Sequence, residues 1–170
     1  MQIKKELCQF AKKITPKNWN ISIEHHGYKG KSGMLNIWLL FHDRAHCTDR
    51  GSVGESHSPM RFIGGAAFAE IWLYPLNQDH SDYGISSKGT IIPELAHIAV
   101  DRYAAFKEKV YRPDGTMIAR MIEEEPHGQN FQRAMRILLN RAISIYGEQE
   151  LSDLIDEILF DVDQYEILPE

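Results

Sequence analysis

Gly89-Thr-Ile-Ile-Pro93-Glu94-Leu95-Ala96-His97 is the stretch whose reading decides the rest. Apolar residues Leu95, Ile98, Ala99, Phe106 and Val110 recur at helical spacing from Thr90 onward, and Pro113-Asp114-Gly115 offers a stop. On such a helix Glu94, His97 and Asp101 lie at i, i+3 and i+7 and share one face. With Thr90 as cap, Pro93 falls in the first turn, where the amide donors lack intrahelical partners anyway. Thirty residues after His97 a second segment, His127-Gly-Gln-Asn-Phe131, opens another helical pattern. That pattern carries Phe131, Ala134, Met135, Leu138, Ala142 and Ile145 to Gly147, a good C-terminal stop. If the two helices pack, His127 reaches the face of His97. Histidines and acids converging between helices suit a divalent cation, zinc first.

Outward from these segments the chain reads as helix, three strands, then helices. Residues 2–14 place Ile3, Leu7, Phe10, Ala11 and Ile14 on one helical face, ended by Thr15-Pro16. Trp19, Ile21 and Ile23 alternate with polar residues as a strand does. The glycine-rich 27–33 leads into a second strand, 34–41, so the spacing predicts a hairpin. Residues 42–65 and 77–90 read as long polar loops, with Gly64-Gly65 as a bend. Residues 66–75 form a third strand that Pro75 ends or places at an edge. A helical turn is expected around Met117–Glu124, and a last helix over 148–162 buries Leu151, Leu154, Ile155, Ile158, Leu159 and Val162. The fold class expected is α+β, a small antiparallel or mixed sheet packed against a helix layer, in a single domain over 1–170.

A length of 170 residues suits one such domain, and 43% apolar residues are enough to bury a core. No segment approaches a membrane span, and the amphipathic start is not a signal peptide. The two cysteines, Cys8 and Cys47, make no CxxC pair or disulfide framework, which suits a reducing, cytoplasmic compartment. The net charge of −5 is uneven: residues 148–170 hold nine acids and no Lys or Arg, leaving the remainder mildly basic. That excess is too small to support a nucleic-acid partner by charge.

In combination, PELAH (93–97) and HGQNF (127–131) resemble the SprT-like zinc metallopeptidases, a zincin family that includes proteases cutting proteins crosslinked to DNA. Zincins carry HExxH on a helix, two histidines holding zinc while the glutamate activates water. SprT-like members add a third histidine in an HGxxF-type segment. The resemblance spans residues 34–140 and implies a zincin-like fold, with an edge strand able to take extended peptide by β-addition. Residue by residue it makes His97 the second zinc ligand, Glu94 the catalytic general base and His127 the third ligand. Pro93 occupies the first ligand position and cannot bind metal. Asp101 is then the nearest substitute metal ligand, with His42, His46, His57 and His80 as loop alternatives.

Three outcomes follow: zinc weakened or lost, with the cleft and edge strand kept for a protein or peptide partner; an active peptidase with a substitute ligand; or histidines that only serve structure. An inhibitor protein of a phage or mobile element is one form of the first. Glu94-x-x-His97 and Glu124-x-x-His127 also match the spacing of di-iron helical bundles, which the strand segments argue against. His25-His26, the His42–Cys47 cluster and the three tryptophans read as loop or sheet-face residues.

Overall fold

The computed structural model describes residues 2–23, 30–42, 54–63, 66–74, 84–104, 109–111, 113–114, 117–119, 128–153 and 155. Its elements are α1 (Gln2–Ile14), β1 (Trp19–Ser22), β2 (Leu35–Phe41), β3 (Gly54–Ile63), β4 (Ala66–Leu73), α2 (Gly84–Ala104), β5 (Lys109–Tyr111), β6 (Met117–Ala119) and α3 (Gln129–Tyr146). The α+β class holds.

The antiparallel alternative does not. The main sheet runs β1-β2-β4-β3, with β1, β2 and β4 parallel and only β3 antiparallel, so it is mixed. The hairpin expected between residues 19–24 and 34–41 is therefore corrected to a parallel pair. Parallel neighbours need a connection of about a dozen residues, which segment 23–34 supplies. Asn36, 1% exposed, fixes this arrangement. Its Oδ1 accepts from Asn20 Nδ2 at 2.9 Å and from the Lys31 amide at 2.8 Å. Its Nδ2 donates to the carbonyls of Lys31 at 3.1 Å and Ala67 at 3.2 Å. One side chain thus ties β1, the connection and β4 to β2. The connection lies close over the sheet at Gly30, where an added Cβ would stand 2.5 Å from the Phe68 ring.

The segment 42–65, expected to be loop, contains β3, which with β1 forms the two sheet edges, while β4 lies inside the sheet. The polar sequence of β3, with Pro59, shows no core alternation, and its register breaks between His57 and Arg61. Helix α2 begins at Gly84, inside the segment expected to be a polar loop, and ends at Ala104. Pro113-Asp114 sits in the turn between β5 and β6, so Met117–Ala119 of the helical turn expected around Met117–Glu124 is strand instead, and 120–124 lie outside the described residues.

The helices lie on one face of the sheet. Leu35, Ile37, Leu39, Ala67, Ala69, Ile71 and Leu73 join Leu7, Phe10, Ile91, Ile92, Leu95, Phe131 and Leu138 in one buried cluster. Trp38 and Phe68, on the opposite face, stack at 4.9 Å in a second. Helix α1 ends as expected, with the Thr15 hydroxyl donating to the Ala11 carbonyl at 2.8 Å. Gly147, at φ +86°, closes α3 and donates its amide to the Ile143 carbonyl at 2.8 Å. Of the helix expected over 148–162, helical backbone is described at Ser152, Asp153 and Ile155, and the remainder lies outside the described residues.

Candidate functional site

Helix α2 positions the candidate site. Its described side chains, residues 88–100, include none that is exposed. Ile91, Ile92, Leu95 and Ile98 are fully buried, while Thr90, Pro93, Glu94 and His97 form a half-buried stripe. Glu94 and His97 are thus held on one helix face, as the spacing predicts. Pro93, however, is the tenth residue of α2, not part of its first turn, and Thr90 is an interior residue, not a cap. Without an N–H, Pro93 gives the Gly89 carbonyl no helical partner, an arrangement that costs about 3 kcal/mol in an ordinary helix interior. Packing on all sides of α2 offsets that cost.

The HGQNF segment reaches this stripe through Phe131. The Phe131 ring, 4% exposed, lies 4.4 Å from the His97 ring, tilted by 32°. Gly128 is the N-cap of α3, with extended backbone, so α3 starts beside the middle of α2. The two segments that sequence alone pairs therefore meet in space. Phe131 is the site residue that sequence reading treated only as core; an aromatic four positions after His127 gave no separate signal of its contact with His97.

His127 lies outside the described residues, as do the side chain of Asp101, His25, His26, His46, Cys47, His80 and Glu124. Of the remaining loop histidines, His57 belongs to β3 and is in register with Glu70 of β4. His42 follows β2 directly, and its ring stacks on Tyr74 and lies tilted against Trp72, each at 4.9 Å. Trp72 donates its indole N–H to Glu70 Oε2 at 2.9 Å. Among the described residues no group of three or more His, Cys, Asp or Glu side chains is placed to hold a metal ion. Glu94 and His97 alone are two donors, one short of the three that a catalytic zinc normally takes. A third donor would have to come from His127 or Asp101, whose side chains lie outside the described residues.

At Cys8 a nucleophilic thiol is disfavoured. Cys8 is buried and donates to the Ile21 carbonyl at 3.9 Å. Burial pushes its pKa up, against a smaller lowering by Lys12, so the reactive thiolate is suppressed.

No protein family, curated protein or solved structure compared with this chain matches it. No helix among the described residues is long and apolar enough to cross a membrane.

Proposed function

We propose that the chain is a SprT-like metallopeptidase homologue whose zinc site is altered or lost and which acts by binding a protein or peptide. The contact between His97 and Phe131 is the observation that supports this reading most directly. It brings the PELAH helix against the helix that follows His127, which favours the reading, while the convergence of His127 itself with His97 falls outside the described residues. Pro93, at the position of the first ligand, contributes no donor. Glu94 stays half-buried on the same stripe. Strand β3 extends the binding surface. It is the antiparallel edge of the sheet, and an extended segment could add to it by main-chain hydrogen bonds, interrupted at the register break.

The test compares wild type, Glu94→Gln, Pro93→His and Pro93→His with Glu94→Gln, all purified without a histidine tag. Zinc content and cleavage of casein or of a crosslinked protein are measured for each. Wild type is expected to be inert with substoichiometric zinc, and Pro93→His to move toward one zinc per chain. Wild-type cleavage that Glu94→Gln abolishes would overturn the binding-protein reading in favour of a peptidase with a substitute ligand.

A further inference from the structure

The chain is acidic overall, yet its two outer helices are not. Helix α1 carries Lys4, Lys5, Lys12 and Lys13 against Glu6 alone, and α3 carries Arg133, Arg136 and Arg141 with no acid. These helices are neighbours: the rings of Phe10 and Tyr146 lie 5.6 Å apart, and Arg141 Nη1 donates to the Ile14 carbonyl at 3.3 Å. Lys13 Nζ stands 5.4 Å from the Tyr146 ring centre. Lys88, arriving from α2, places its Nζ 5.6 Å from the Phe10 ring and 5.9 Å from the Tyr146 ring. Cations from α1 and α2 thus gather around one tyrosine of α3. The ring faces offset some of their mutual repulsion, and a polyanion would offset more.

The same surface is partly apolar. Ile137 and Ile145, 48% and 46% exposed, flank Arg141 at four-residue intervals and so line one stripe of α3 with it. A partner that fits has apolar side chains bracketed by acids. We propose that the occupant is the chain's own segment 156–170. Its sequence, Asp156-Glu-Ile-Leu-Phe-Asp161-Val-Asp163, has that pattern and no basic residue. It also starts in the right place. Tyr146 ends α3 inside the cationic cluster, Leu151 is buried, and Ile155 packs against the core, so the chain is delivered beside the helix layer. The carboxylate of Glu150 already acts on Tyr146, whose hydroxyl is pushed up first by burial and then by that charge. Tethering makes the contact intramolecular, at an effective concentration on the order of millimolar. This proposal does not depend on the reading of the Glu94–His97 stripe.

Acetylation of the full chain by a water-soluble ester, read residue by residue by mass spectrometry, tests it. The variant carries Asp156→Asn, Glu157→Gln, Asp161→Asn, Asp163→Asn and Glu166→Gln. At low salt Lys13 and Lys88 should react roughly three-fold faster in the variant, and wild type should approach it near 0.5 M salt, where exposed pairs are screened. Lys5, exposed toward the other end of α1, should not change. Ile137→Ser with Ile145→Ser, which leaves every charge in place, should release the same lysines in part. Equal, salt-independent rates in wild type and both variants would overturn the proposal. So would protection by added heparin that is equally strong in wild type and in the neutralised variant, because an external polyanion would then be the occupant.

Discussion

Helices α2 and α3 lie side by side and obey opposite rules. Helix α3 is regular, burying Phe131, Met135, Leu138, Leu139 and Ala142 while Arg133, Ile137, Asn140 and Arg141 face solvent. Its caps and its periodicity agree with each other. Helix α2 has a proline in its middle, no exposed side chain over residues 88–100, and the polar side chains of Lys88, Thr90, Glu94 and His97 held half-buried. The regular helix is at the surface and the irregular one is enclosed, in contact with α1, α3, β3 and β4. Propensity therefore shapes α3, whereas packing holds α2 in spite of propensity. Sites that break a local rule inside a well-packed fold are where function is expected to concentrate. That is why the Glu94–His97 stripe carries the proposed function and α3 supports it.

The largest effect that separates the two helices is a cavity. Leu95, fully buried in α2, should lose about 2–5 kcal/mol on replacement by alanine, because the enclosing elements cannot all collapse onto the void. Asn140→Ala on the exposed side of α3 should stay within about 0.5 kcal/mol. Urea unfolding midpoints at a common slope measure both, and a small Leu95 effect would mean that α2 is loosely held. Next comes the proline. Pro93→Ala should raise stability by up to about 3 kcal/mol if the helix gains its missing hydrogen bond, whereas Asn140→Pro should lower it by a similar amount or more. Destabilisation by Pro93→Ala in the same assay would show that the surroundings are built around the proline, and the contrast between the helices would be sharper still.

This contrast also explains which parts were legible in sequence. Helices α1 and α3 were, because an apolar face and a terminator are both local: Thr15-Pro16 in one, Gly147 in the other. Helix α2 was legible only from Thr90, since Gly84-Ile-Ser-Ser-Lys-Gly89 has poor intrinsic helicity and is held by contacts from elsewhere. Strands β2 and β4 were found, but not their direction. Their near-continuous apolar runs are typical of strands covered on both faces in a parallel arrangement, and Asn36, which fixes the register, reads locally as an ordinary polar residue. Strand β3 was missed because its sequence shows no apolar alternation, and β5–β6 because Pro113-Asp114-Gly115 stops a helix and turns a hairpin equally well. Of the site, the pairing of PELAH with HGQNF was legible as two motifs, while the contact that joins them depends on how α2 and α3 cross.

The smallest predicted effect tests that crossing directly. Phe131→Leu keeps an apolar side chain in the pocket and removes the ring that lies 4.4 Å from His97. Ring contacts of this kind contribute about 0.5–1.5 kcal/mol beyond the area they bury, so the substitution should destabilise by about 1 kcal/mol. Stability alone would not identify the contact, because any repacking at a buried position moves it. A double-mutant cycle with His97→Leu isolates the pair, with an expected coupling of at least about 0.5 kcal/mol. In wild-type spectra the His97 ring protons should carry a ring-current shift from Phe131 that Phe131→Leu removes, while those of His42, which lies against Trp72 and Tyr74, stay where they are. Zero coupling together with an unmoved His97 signal would separate the two motif segments, and the comparison of α2 with α3 would then describe packing alone.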